Sequence, residues 1–194
     1  GLPQAIALSM RRANGSPIIG QGSFDQTLRP LYDFNTGMGN VSDAYSFGTH
    51  SAEVEVDRET GQVDIRRMAV SHDCGFAINP LLIEGQVEGA SLMGSGYALT
   101  EELRRQDGAT LNPSFLEYKV PTALDGFEMG GATVESIDPG GPYGAKEAGE
   151  GLMIAAAPAV TNAIFNAVGI RMMETPVTPE KVLRALEESA RATG

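Results

Sequence analysis

The sequence predicts an α+β fold, and three observations predict it. Apolar and charged residues alternate over 52–57 and again over 63–65, the period of paired strands. Helical spacing governs three separate segments, 80–103, 153–169 and 179–193. The strands do not alternate regularly with the helices, so the pattern is a β-hairpin and short strands packed with helices rather than a parallel array.

The elements follow in chain order. Residues 1–48 show weak periodicity. NGSPIIGQGSFDQ and DFNTGMGNVSDAYSFG are dense in Gly, Asn, Asp and Ser, the residues of turns. Such a long irregular stretch is uncommon inside a compact domain. It is expected to continue an upstream domain or to wrap a partner, while residues 49–194 form the second part of the chain. GLPQAIALSM has no initiator Met and no charged n-region of a signal peptide, so the chain reads as processed or as a piece of something longer.

Ala52, Val54 and Val56 alternate with Glu53, Glu55 and Asp57, which predicts a half-buried strand. RETGQ is a turn in which Gly61 takes positive φ, and QVDIRRMAV returns as a second strand with Val63 and Ile65 inward. From Pro80 to Leu103 the pattern is helical, yet it holds Gly85, Gly89, Gly94 and Gly96. Each interior Gly costs a helix about 1 kcal/mol relative to Ala. Gly85 and Gly89 share a face, and the spacing predicts that an element or a bulky ligand packs closely there. FLEYKVP (115–121) and GGATVESID are read as further strands. MIAAAPAVTNAIFNAVG is a mostly apolar helix carrying Pro158 near its first turn. TPEKVLRALEESARAT closes the chain as a helix, with Thr178 as cap, Pro179 at the first turn, and Val182, Leu183 and Leu186 as its apolar stripe.

Composition narrows the function classes. The net charge of −11 and pI near 4.6 oppose binding to a nucleic-acid backbone or an anionic membrane through net charge. No run of 18 uniformly apolar residues suggests a membrane span. The single cysteine, Cys74, excludes an intrachain disulfide and suits a reducing compartment, here the cytoplasm. His50, His72 and Cys74 offer no zinc spacing, so no protein-held metal is expected. GPYGAK lacks the Walker spacing and puts Glu147 where a hydroxyl is needed.

What remains is GAKEAGEG (144–151), two glutamates in a glycine-rich turn that feeds an apolar helix. In a dry pocket Glu150 is a plausible general base, and Lys146 or the helix start would favour its anion. On spacing alone a solvated turn is the better account of the motif.

Read together, YSFG, AEVEVDRETGQV, HDCGFAINP, EGQVEGASLMGSGYALTEE, NPSFLEYKVPTAL, GPYGAKEAGEG and TPEKVLRAL resemble the C-terminal part of the molybdenum-binding subunit of the xanthine dehydrogenase/aldehyde oxidoreductase family. GEG, where many relatives have GEP, resembles the 4-hydroxybenzoyl-CoA reductase branch. The resemblance implies a molybdenum-dependent oxidoreductase of which this chain is one portion, inactive alone. It implies molybdopterin, as a cytosine dinucleotide, carrying Mo, with Fe–S clusters and FAD on iron–sulfur and flavin subunits or other segments. It maps Glu150 onto the family's active-site base beside molybdenum and Gln86 onto a glutamine near the pterin. Gly85, Lys146, Ala148 and Gly149 become neighbours of the cofactor, and Glu147 a supporting residue. The substrate would be an aryl-CoA whose ring hydroxyl is removed reductively. The alternatives are a purine, aldehyde or N-heterocycle hydroxylated with water, and a non-catalytic assembly module.

Overall fold

The computed structural model describes residues 1–12, 19–24, 32–39 and 44–193. They fall into two compact units, Gly1–Gly39 and Asn40–Gly194.

In the first unit, the irregular stretch expected over 1–48 contains a helix, α1 (Leu2–Arg12). Gln4, Ala5, Ala7, Leu8 and Met10 are good helix formers, Pro3 sits in the tolerant first turn, and Arg11 and Arg12 suit the negative end of the dipole. A tight turn follows at Asp33–Met38, where the Asp33 carboxylate accepts from the Asn35 amide at 2.8 Å and the Thr36 hydroxyl at 2.9 Å. The remaining turn-rich runs at 13–18, 25–31 and 40–43 lie outside the described residues.

The second unit is built on the hairpin that the alternation predicts. Strand β1 (Gly48–Val56) pairs antiparallel with β2 (Val63–Asp73), and Gly61 closes the turn at φ +77°. The register shifts between Glu53 and Val54, so Arg66 and Arg67 together oppose a single step of β1. That bulge changes the phase of β2. Val63 and Ile65 lie inward as predicted, but the inward series continues with Met68, Val70 and His72. Both arginines stay outside, paired with Glu55 and Glu53. Strand β5 (Glu128–Val134) adds in parallel to β2, giving the order β1–β2–β5. Strands β3 (Arg105–Gln106) and β4 (Ala109–Thr110) make a small separate hairpin through Asp107 and Gly108, both at positive φ.

Helix α2 (Pro80–Leu99) starts on Asn79, whose side chain accepts from the Leu82 amide, and stops four residues short of the expected Leu103. Its last turn is closed where the Gly96 carbonyl takes the amides of Thr100 and Glu101. The apolar segment after the loop divides into α3 (Gly151–Ile154) and α4 (Ala156–Val168). The break falls at Ala155 because the Pro158 ring would otherwise meet the Ile154 carbonyl, four residues back. Gly151–Val168, with mean hydropathy 1.5, has the length and apolarity to cross a bilayer, which the composition did not anticipate. Here Leu152, Ala156, Val160 and Ile164 join Met68 and Val70 in one core, as in the core helix of a folded domain. Helix α5 (Pro179–Thr193) adds Val182 to that core and seats its first turn on Gly61.

One expected strand is absent. Residues 114–118 form a turn in which the Ser114 carbonyl accepts from Glu117 and Tyr118, leaving Phe115 and Leu116 exposed. Asn112-Pro113 opens that turn, and Pro121 has no amide to give a ladder.

Candidate functional site

The buried end of β2 and the loop 144–147 run side by side. The Phe76 amide donates to the Gly144 carbonyl at 2.9 Å, and the Lys146 amide to the Cys74 carbonyl at 2.8 Å. Gly75 and Ala145 form an antiparallel bridge between them. His72 Nε2 lies 3.0 Å from the Glu147 carbonyl. Gly75 sits at φ +61°, where a Cβ would stand 2.3 Å from the Gly144 carbonyl oxygen, so the approach requires glycine.

Side chains reinforce this ladder. Lys146 Nζ donates to Asp73 Oδ2 at 2.6 Å and to the Tyr45 carbonyl at 3.1 Å, beneath the Phe47 ring. Both charged side chains are buried, at 9% and 7% exposure. Asp73 Oδ1 accepts from the Gly75 and Ser136 amides, each at 3.1 Å. Burial pushes the Asp73 carboxyl up, but Lys146 and the two amides outweigh it and hold the group below its ordinary value. Lys146 was expected to act on one of the glutamates; its ammonium instead faces Asp73. Cys74 is a buried free thiol raised by that burial, which suits an inert side chain.

The two glutamates divide. Glu147 accepts from the Ser46 hydroxyl at 2.5 Å and from the Gly149 amide at 2.8 Å, with His72 Nε2 at 3.7 Å. Burial raises its carboxyl, yet the Ser46 and Gly149 donors, His72 and the Gly151 amide together hold it below its ordinary range. A Cβ at Gly151 would stand 2.1 Å from Glu147 Oε1, so a side chain there would displace the Glu147 carboxylate from its Ser46 and Gly149 donors. Glu150 is exposed, stands at the head of α3, and has no hydrogen bond or ion pair on its carboxylate among the described residues. Helix α3 is only four residues long, so it supplies little of the dipole that was expected to favour the anion.

Residues 147–151, Ser46, Gly48, Ile154 and Ala155 line an open cleft of about 820 Å³. The structure thus brings Ala148, Gly149 and Glu150 to one surface. Gln86 and Gly85 do not line that cleft; they lie exposed on α2. A Cβ at Gly85 or Gly89 would meet nothing within 4 Å, so no element among the described residues packs on that face. Close packing occurs instead at Gly94, where a Cβ would fall 2.5 Å from Ala156 Cβ and 2.8 Å from the Met153 carbonyl.

Sequence reasoning missed Ser46 and the Asp73–Lys146 pair, whose partners lie 101 and 73 residues apart. It also left His50 and His72 unrelated. The register sets His50 opposite Val70 and Gly48 opposite His72, which makes the two rings diagonal neighbours on the core face. Both His50 ring nitrogens and His72 Nδ1 are buried without a partner among the described residues. No group of three or more His, Cys, Asp or Glu side chains suited to a metal occurs among the described residues.

The fold has known counterparts. Residues 4–126 match the Molybdopterin cofactor-binding domain family. The xanthine dehydrogenase molybdenum-binding subunit of Escherichia coli O157:H7 is 39% identical over 139 residues, covering 71% of this chain and 18% of that protein. The nicotine 6-hydroxylase large subunit of Paenarthrobacter nicotinovorans is 35% identical over 164 residues, covering 81% of this chain and 20% of that protein. The crystal structure of the aldehyde oxidoreductase from Desulfovibrio desulfuricans superposes with a TM-score of 0.71 at 30% identity, over 77% of this chain and 16% of that one. The chain therefore spans about a fifth of the length of such relatives. Their names speak of xanthine, nicotine and aldehydes; the nearness to 4-hydroxybenzoyl-CoA reductase expected from GEG finds no support in them. With more than half of its 194 residues matched and its α+β lobe shared with a solved enzyme, the chain belongs to the molybdopterin cofactor-binding domain of the xanthine dehydrogenase/aldehyde oxidoreductase family.

Proposed function

We propose that this chain supplies the proton-accepting glutamate, Glu150, to a molybdenum enzyme that hydroxylates an N-heterocycle, purine or aldehyde with oxygen from water. The observation that carries the reading is the division of labour in the loop. Glu147 is tied by Ser46 and Gly149, whereas the Glu150 carboxylate is free at the rim of an open cleft. An unpaired carboxylate on a rigidly anchored loop can take a proton from a group placed before it.

The residues suit a bulky organic cofactor. Gly149 in the cleft wall, and Gly85 and Gly89 on α2, each leave room where a Cβ would touch nothing within 4 Å. Gln86 presents an exposed amide beside Gly85, with both donors and an acceptor for a polar heterocycle. The cofactor-binding set is therefore Gln86, Gly85, Ala148 and Gly149. Lys146 serves the same loop from behind, through Asp73. A bound molybdopterin would bring its own molybdenum and with it the two-electron redox chemistry. Glu150 Oε would hold the proton released as the nucleophilic oxygen forms its bond to the substrate carbon. The cytosine dinucleotide form, the remainder of the molybdenum subunit, and iron–sulfur and flavin subunits in a cytoplasmic complex complete the proposal.

Substitution of Glu150 tests the assignment directly. In the assembled enzyme, Glu150→Gln is expected to lower turnover by a factor of about 10² to 10⁴ while molybdenum content stays the same. Near-normal turnover would defeat the assignment and favour an assembly role. Run in ¹⁸O-labelled water with xanthine, a pyridine, an aldehyde and an aryl-CoA, the same enzyme should label a hydroxylated product. With a low-potential electron donor supplied, loss of a ring hydroxyl from the aryl-CoA as water would restore the reductase reading.

A further inference from the structure

We infer that Asp73 and Lys146 are positioning residues, and that the end of β2 is the mount that sets where Glu150 stands. The inference rests on Glu150 being the proton acceptor. Residues 72–76 contact residues 144–147 almost one for one: main-chain bonds run from Phe76 to Gly144 and from Lys146 to Cys74, and His72 meets the Glu147 carbonyl. Lys146 and Asp73 form an ion pair across this ladder at 2.6 Å with both side chains buried, and the His72 ring faces the Glu147 carboxylate across it at 3.7 Å.

Two physical effects follow. First, the pair fixes the loop against a strand that is itself part of the core sheet, so the loop cannot slide without exposing Asp73 or leaving it unpaired. A buried ion pair adds little net stability over apolar residues of the same size, and geometric specificity is its better use. Second, Lys146 is the only Lys or Arg within 144–151. Held inward on Asp73 and the Tyr45 carbonyl, its ammonium is withheld from the cleft, where it would pair with Glu150 and blunt it as a base.

The test uses the full-length assembled enzyme. Asp73→Asn/Lys146→Met removes both charges at similar volume. It is expected to fold, to keep its molybdenum and KM, and to lose about 10- to 100-fold in kcat, the scale of a small misplacement of a catalytic group. Hydrogen exchange of the amides at 145–149 should accelerate while the helices stay protected. Should the double variant not fold, Asp73→Asn keeps size and the Oδ1 acceptor and carries the same two readouts. Unchanged loop exchange overturns the inference. So does faster exchange with unaltered kcat, provided Glu150→Gln is inactive. If Glu150→Gln proves active, the base assignment has failed, and exchange alone decides: faster supports the mount, unchanged overturns it.

Discussion

His50 and His72 sit side by side behind the loop with three ring nitrogens lacking partners among the described residues. Burial, and secondarily the neighbouring His72, holds His50 below its ordinary value of 6.5. The unfolded chain therefore takes up the proton first as pH falls. Stability from keeping His50 neutral is complete above about 6.5 and declines as pH drops through the lowered folded value. The thermal midpoint should fall between pH 7 and pH 5, by a smaller step in His50→Gln; an equal step in both proteins would show that His50 is not responsible. Asp73 and Glu147 act in the same sense lower down, their contributions being lost as pH falls below 3.8 and 4.5 respectively. Glu150 was legible as a candidate because GAKEAGEG is a compact motif. Ser46 was not, because a hydroxyl bond across 101 residues leaves no local trace. The pairing of Lys146 with Asp73 was hidden for the same reason.

At the scale of elements, α2 and α3 set the height of the loop. Gly94 lets α2 approach until Ala156 and the Met153 carbonyl leave no room for a methyl group. Gly94→Ala should cost roughly 1–3 kcal/mol by overpacking and displace α3 with the adjoining Glu150. Denaturant unfolding would read the first effect and turnover in the assembled enzyme the second. A variant as stable as the parent would show that α3 relaxes without strain. The hairpin was legible because alternation of charged and apolar residues is a direct image of one buried face. Its bulge was not, because Arg66 and Arg67 break the period without naming which side gains a residue. The small β3–β4 hairpin did have a signal, the Asp107-Gly108 dipeptide, which suits positive φ at both positions. Residues 115–121 show the opposite failure: their strand formers find no partner, and backbone pairing decides.

At the scale of the whole molecule, the chain is acidic, with a net charge of −11. Gly85 and Gly89 on α2 meet nothing within 4 Å, the cleft at Glu150 is open, and the chain spans about a fifth of the length of its relatives. The 194-residue chain purified alone should therefore carry little molybdenum. Stoichiometric metal by elemental analysis would mean that these residues suffice for binding. How a cofactor and substrate would sit was not legible in this stretch, since Gln86 and Gly85 lie on α2 away from the cleft that Ala148, Gly149 and Glu150 line. The ladder behind the loop has one more implication. It is made largely of main-chain atoms, so it is indifferent to which side chains decorate the front. Ile154, exposed on the cleft wall, takes no part in it. Such a position can be exchanged for a larger or more polar residue while Glu150 keeps its place, so the shape of the cleft can change without disturbing the ladder that holds it.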